Sequence, residues 1–539
     1  MDGLFQRSIP EVLRRTANRT PEKIAFTCND ASLTYEALVE KSSQLAAVLK
    51  ELGVCHGDRV GVFLNQSLES AVAIYGIMTA GALFVPIDPT SPESRVTYVI
   101  DRCDIDVVVT APRMRGRIAG FSRMSERPIR LVGLEDVTDL PVEATISWSD
   151  VYAATPSRGA RLTAQDLGYI MWTSGSTGAP KGMTHKHGSG LIYAGMLAET
   201  HGLNDQDRFL GLSPLHFDMC VMDYIAAPLV GGSTIIVPES TAKLPAALTK
   251  LAATERATIW YSVPFAMTQM LEFGAMDKHD LSSLRWMIYG GENFPLEHLR
   301  GLMERLPQAK FANAYGPAET HQISSYTVGA LGPDAGPIPI GEPWRTLEAL
   351  ILDDDDDVLP PGNVGELVVR SPSCMQGYWG EPTLTDAAMH RREGAGGLSN
   401  SYYRTGDLVR QDPDGMMHFL GRKDRQVKVR GYRVELDEVE AAVLSYPTVA
   451  ECAVIPAQDR RSLVAAVRLH DGADAATDDI VAHCRTRVPI YAVPAKVHLV
   501  DAFPRTGSDK IDRSALGALL DCAPGDNSAA LATTEGSST

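Results

Sequence analysis

The chain lacks the features that would place it in a membrane, on nucleic acid or in an oxidising compartment. No uninterrupted apolar run reaches the length needed to span a bilayer, and the opening residues Met1-Asp2-Gly3-Leu4-Phe5-Gln6-Arg7 contain no basic segment leading into an apolar one. There is no lysine-rich or arginine-rich block and the net charge is −17, whereas nucleic-acid binding rests on neutralising phosphates. The eight cysteines (Cys28, Cys55, Cys103, Cys220, Cys374, Cys452, Cys484 and Cys522) show no Cys-x-x-Cys spacing. That argues against a zinc site or a disulfide frame and leaves them as small buried apolar residues. A soluble, cytoplasmic protein with no membrane or nucleic-acid partner is expected. At 539 residues and 44% hydrophobic composition, the chain is too long for one core, so two or more domains are expected.

Two familiar nucleotide motifs are also missing where a nucleotide loop would be sought. Around residues 169–185 no Gly-Lys-Ser/Thr follows a four-residue spacer, and there is no Gly-x-Gly-x-x-Gly. What stands there is Tyr169-Ile170-Met171-Trp172-Thr173-Ser174-Gly175-Ser176-Thr177-Gly178-Ala179-Pro180-Lys181-Gly182-Met183-Thr184-His185. The apolar run before Thr173 predicts a buried strand. The hydroxyls and glycines that follow let backbone N–H groups converge on an anion, and Lys181 adds a point charge. A Ser/Gly surface loop is the plain alternative; the unbroken order of strand, hydroxyls, glycines and lysine favours a phosphate cradle.

Apolar residues recur at helical spacing over residues 11–19, 35–52 and 67–79, with strand-like runs at 59–64 and 82–87. Alternating strands and helices predict parallel, doubly wound sheets. Residues 113–161 are more polar and weakly patterned, as a surface excursion would be. Residues 438–444 and 478–487 read as helices and 449–455 and 463–469 as strands, together a compact α+β unit. Beyond Pro524 the residues are small and polar, a disordered tail.

Individual carboxylates and one lysine carry the chemistry. Asp218 lies in the apolar run Leu215-His216-Phe217-Asp218-Met219-Cys220-Val221-Met222 and must find a partner if buried: a cationic substrate group, or a helix end that it caps. Asn313-Ala314-Tyr315-Gly316-Pro317-Ala318-Glu319-Thr320 follows a predicted strand. Its aromatic face suits a base and its hard oxygen suits Mg²⁺, although Tyr-Gly-Pro alone is a turn. Asp407, after a Gly turn, can accept from two ribose hydroxyls or cap its own turn. Asp353 to Asp357 reads as a solvated hairpin, since adjacent aspartates diverge and Leu359-Pro360-Pro361-Gly362 signals a turn. Residues 421–435 are dense in charge and then alternate like a half-buried strand. Lys510, after Gly507-Ser508-Asp509, reads by itself as a solvated loop residue.

Residues 173–181 resemble the signature loop of the AMP-forming adenylate synthetases, the superfamily of acyl-CoA ligases, luciferases and the amino-acid adenylation domains of nonribosomal peptide synthesis. The resemblance runs on through Leu33-Thr34-Tyr35, residues 81–89, Gly365-Glu366-Leu367-Val368-Val369, Gln376-Gly377-Tyr378-Trp379 and residues 421–435. It implies an α/β fold: a large N-terminal domain of doubly wound sheets with a distorted barrel-like subdomain (1–423) and a small mobile α+β domain (424–522). Asp424 would be the hinge, and 523–539 a tail. The implied activity is a two-step ligase reaction with ATP and Mg²⁺, in which a carboxylate becomes its acyl-AMP and is then passed to a thiol.

By the same resemblance the catalytic residues are Lys510, Thr173, Glu319 (which also holds the metal) and Lys428. ATP contacts fall to Thr173, Ser174, Gly175, Ser176, Thr177, Gly178, Lys181, Asn313, Ala314, Tyr315, Gly316, Thr320, Asp407, Arg422 and Lys510. The substrate pocket is carried over as Phe217, Asp218, Met219, Met222, Tyr261, Ile288, Gly290, Gly291, Ala314, Gln322 and Ile323, with Asp218 on the position that binds a substrate ammonium. Three departures stand out: Cys220 for Ser, Asp223 for Glu and Asp509 for Gly.

An apolar pocket with one charge implies a neutral α- or β-amino acid of small or middling size, such as proline, alanine or a branched aliphatic, with Gln322 available to a polar substituent. No phosphopantetheine-accepting Gly-Gly-x-Ser segment follows the small domain. The expected acceptor is therefore the phosphopantetheine thiol of a separate acyl or peptidyl carrier protein, as in free-standing loading enzymes of natural-product and antibiotic biosynthesis, with Arg485, Arg487 and Lys496 as a basic patch for it. The alternatives are an acyl-CoA ligase using CoA, a luciferase-like oxidative enzyme and a non-catalytic nucleotide- or carrier-binding module.

Overall fold

The computed structural model describes residues 7–125, 127–135, 140–175, 179–332, 334–506 and 510–520. Ser176, Thr177, Gly178, Asp509, Cys522 and the tail from residue 523 lie outside them.

Two eight-stranded sheets form the body of the large domain. One runs, edge to edge, Ser324–Val328, Lys310–Tyr315, Trp286–Gly290, Ile259–Ser262, Arg208–Gly211, Ser233–Ile236, Ile24–Cys28 and Ala31–Thr34. Its six inner strands are parallel and its two edge strands antiparallel. The other runs Gly377–Tyr378, Lys181–Lys186, Leu167–Thr173, Leu83–Pro86, Arg59–Val62, Val107–Val109, Arg130–Val132 and Ala144–Ile146. The helix Leu68–Ala80 is buried at every position from Ser70 on, as expected of a helix that is apolar all round. Ser67 and Ser70 close a capping box at its start and Gly81, at φ +96°, ends it.

Residues 113–161 are not a surface excursion. They supply the helices Arg115–Met124 and Trp148–Ala153 and two strands of the second sheet, with Ile118, Phe121, Leu131, Val132 and Val151 buried. Those strands are three residues long, too short to display a period. The place of the barrel-like subdomain is taken by five antiparallel strands between Glu348 and Arg422. The five aspartates 353–357 form the turn between two of them, as expected of a solvated hairpin, with the Asp353 carboxylate accepting the N–H groups of Asp355 and Asp357.

From Gln426 onward the chain builds a second core. The hairpin Gln426–Val429/Tyr432–Glu435, the helices Leu436–Leu444 and Thr477–Arg485 and a three-stranded sheet enclose Val429, Val434, Val439, Val454, Ala465, Val467 and Ile480. Among the described residues no helix is long and apolar enough to cross a membrane. Cys103, Cys220, Cys452 and Cys484 are buried as expected, but Cys55 is exposed.

Candidate active site

The parallel strands of the two sheets end at one cavity of about 440 Å³, the place where open α/β sheets bind their ligands. Thr173 and Ser174 end Leu167–Thr173, Val263 follows Ile259–Ser262, and Gly291 and Glu292 follow Trp286–Gly290. Asn313 to Pro317 close Lys310–Tyr315, and all of these residues line the cavity.

At one end lie Phe217, Asp218, Met219, Tyr261, Ala314 and Gln322. Asp218 precedes a wide helical turn, Met222–Ala226, a distortion common beside functional sites. Burial pushes its carboxyl up to about 6, against the pull of Lys428 and of the Met219 N–H. Gln322 donates through Nε2 to the Ser324 carbonyl at 3.0 Å, while its Oε1 is buried and has no partner among the described residues.

A second stretch is suited to a nucleoside. Tyr315 donates to Asp407, which also pairs with Arg422; burial raises the Asp407 carboxyl despite that guanidinium. Arg422 is gripped in turn by Asp424, Nε to Oδ1 and Nη2 to Oδ2, both at 2.6 Å. The expected ribose ligand and the expected hinge residue therefore share one arginine. Asn313 lines the cavity while donating to the Pro339 carbonyl at 2.9 Å. Thr173 Oγ1 is buried without a partner among the described residues.

The small domain closes the cavity with its hairpin. Gly431 adopts φ +83°, and a Cβ there would stand 2.3 Å from Val263 Cγ1, so only glycine fits this approach. Its N–H donates to Glu292 at 3.1 Å. Lys428 lines the cavity, its pKa lowered by desolvation there and by Arg433 and drawn up by Asp218. Arg433 donates from Nη1 to both oxygens of Glu319 at 2.9 Å. Glu319 is 0% exposed and also accepts from the Tyr378 hydroxyl at 2.9 Å, with Lys181 at 3.7 Å. Burial alone would raise this carboxyl; Arg433 and Lys181 hold it well below the usual range.

Several expected residues lie elsewhere. Lys510 is exposed on the small domain, in a loop closed by Thr506 N–H to the Lys510 carbonyl at 2.8 Å, and is not in the cavity wall; the hairpin takes that face instead. Thr320 is fully buried and its hydroxyl donates to the Pro317 and His321 carbonyls, so it is turned from the site. Met222, Ile288 and Ile323 are fully buried in the apolar cores, and Gly290 is held against the neighbouring Ala314 carbonyl; none lines the cavity. Glu319 and Lys181 lie behind Arg433, and the Gly175 N–H serves Glu438. Arg433, Tyr378 and Glu292 were not singled out in the sequence. For Arg433 and Tyr378 the one signal was position within stretches that repeat the family pattern.

The sequence model of the AMP-binding enzymes matches residues 13–379, and that of the AMP-binding enzyme C-terminal domain residues 438–510. An L-proline--[L-prolyl-carrier protein] ligase of Pseudomonas fluorescens is 34% identical over 94% of this chain and 98% of its own. Another of that name from Streptomyces coelicolor is 32% identical over 96% and 97%. The solved structure of the amide bond synthetase McbA of Marinactinospora thermotolerans superposes with a TM-score of 0.80 at 26% identity, covering 94% of this chain and 99% of its own. With both domains matched by the family's sequence models, the chain belongs to the AMP-binding enzymes and is an AMP-forming ligase.

Proposed function

We propose that the protein activates an amino acid as its aminoacyl-AMP and loads it on the phosphopantetheine thiol of a separate carrier protein. The observation that carries this is Asp218, a carboxylate that lines the cavity with Phe217, Met219, Tyr261 and Ala314. A carboxylate drawn partly out of water in such apolar surroundings is costly unless a cation reaches it, and a substrate ammonium is such a cation. Lys428, the protein cation whose charge acts on Asp218, belongs to the small domain. The apolar surroundings support a neutral, small to medium side chain. Proline is the first candidate, since two relatives are named for it.

In the first step a carboxylate oxygen of the substrate attacks the α-phosphorus of ATP, and the bond to pyrophosphate breaks. Tyr315, Asn313, Asp407 and Arg422 would hold the nucleoside, and Thr173, Ser174 and Lys181 the phosphates. Glu319 would be the hard oxygen ligand for Mg²⁺, which would offset phosphate charge. Glu319 cannot serve Arg433 and a metal together, so this step needs the small domain turned about Asp424 until Lys510 replaces the hairpin. In the second step the thiol sulfur attacks the acyl carbon, the carbon–oxygen bond to AMP breaks and the thiol proton is released. The arrangement described here, with the hairpin docked and Lys510 withdrawn, suits that step.

Asp218→Ala tests the substrate reading. Pyrophosphate exchange with amino acids should be abolished while any exchange with the matching deamino acids survives; equal loss of both would remove the ammonium from the account.

A further inference from the structure

Where the cavity reaches the small domain its wall is made of Pro456, Asp459, Arg460, Arg461, Arg430 and Tyr491. Three arginines at one mouth are conspicuous in a chain with a net charge of −17. Among the described residues, the guanidiniums of Arg430 and Arg461 form no ion pair. Arg430 donates from Nε to the Arg461 carbonyl at 2.9 Å. Both guanidiniums lie beside the same ring, 6.0 and 5.9 Å from the centroid of Phe265, which restrains two otherwise flexible side chains. Arg430 and Arg460 sit in left-handed backbone at φ +51° and +54°, a conformation that non-glycine residues adopt at a cost and that gathers at ligand clamps. The neighbouring Asp459 is occupied, accepting the Arg461 N–H at 2.9 Å.

We infer that Arg430 and Arg461 form a phosphate site at the cavity mouth, which receives the phosphate of the pantetheine arm while its thiol reaches the acyl-adenylate. Each guanidinium can offer a phosphate oxygen charge-assisted hydrogen bonds. In the functional reading above the ATP phosphates fall to Thr173, Ser174 and Lys181 instead. The inference rests on the thiol-transfer reading above.

The test is calorimetric binding of 4′-phosphopantetheine and of unphosphorylated pantetheine to the whole protein and to an Arg430→Gln, Arg461→Gln double variant. The wild type should prefer the phosphorylated arm, and the double variant should lose about tenfold to a hundredfold in its affinity while pantetheine binding stays within about twofold. An Arg430→Lys, Arg461→Lys variant, which keeps the charge, should recover part of the preference. Equal binding of the two arms by the wild type overturns the site. So does equal weakening of both in the Gln variant, or equal weakening of apo- and holo-carrier binding, which would assign the arginines to carrier carboxylates. Because binding is read, a wild type that forms adenylate yet loads no thiol would sink the functional reading while this comparison still decided the arginines.

Discussion

Replacing Arg433 by Gln should separate the two half-reactions. In the docked arrangement Glu319 is 0% exposed and the Arg433 side chain 13%, so this is a buried pair, and removing one partner of such a pair costs about 3–5 kcal/mol. Lys181 at 3.7 Å and the Tyr378 hydroxyl remain, which puts the expected loss at the lower end, about 3 kcal/mol, or roughly a hundredfold in the population of the docked arrangement. The assay is rapid-quench transfer from preformed aminoacyl-AMP to holo-carrier, beside ATP–pyrophosphate exchange on the same preparation. Transfer should fall about a hundredfold and exchange by no more than about threefold, because Glu319 must leave Arg433 before it can serve a metal. Arg433→Lys should fall between the two, keeping the charge but not the fork. Equal losses in exchange and transfer, or intact transfer, would refute the idea that this pair holds the second arrangement.

Other outcomes follow from the same geometry. The folded-state pKa of Asp218, about 6, lies above its ordinary 3.8. The folded protein therefore binds a proton between those values that the unfolded chain has released, and stability falls as pH rises through that window. Asp218→Asn should raise the melting free energy of the ligand-free protein by up to about 3 kcal/mol at pH 7.5, shrinking towards zero at pH 4, as read by denaturant titration; no gain at pH 7.5 would show the carboxylate to be solvated. Gly431→Ala places a Cβ against Val263 and should slow thiol transfer, with partial rescue by Val263→Ala; rescue failing would locate the defect elsewhere. Lys510→Ala should cripple exchange but leave transfer from preformed adenylate, since Lys510 lies outside the cavity here. Loss of both in stopped-flow assays would contradict the alternation.

Much of the site could be read from sequence because its residues come in short runs: Thr173-Ser174 and Asn313 to Gly316 at strand ends, Phe217-Asp218-Met219 in a turn and Asp407 within the strand Ser399–Gln411 all line the cavity. What could not be read depends on distant packing. Arg433 and Glu319 are 114 positions apart in the chain, and only the docking of one domain on the other makes them partners. Tyr378 lies in a stretch read as structural, yet the antiparallel pairing of Gly377–Tyr378 with Met183 and Thr184 carries its hydroxyl to Glu319. Met222, Ile288 and Ile323 were expected in the pocket, and packing closed over them. The short strands at Arg130–Val132 and Ala144–Ile146 escaped because three residues cannot show a period of two.

Activation of an amino acid through Asp218 is tested by ATP–pyrophosphate exchange over a panel of α-amino acids, β-amino acids and their deamino counterparts. Exchange with one neutral amino acid, proline first among them, and none with its deamino acid is the expected result. Exchange confined to amine-free acids, or absent throughout the panel, would contradict it.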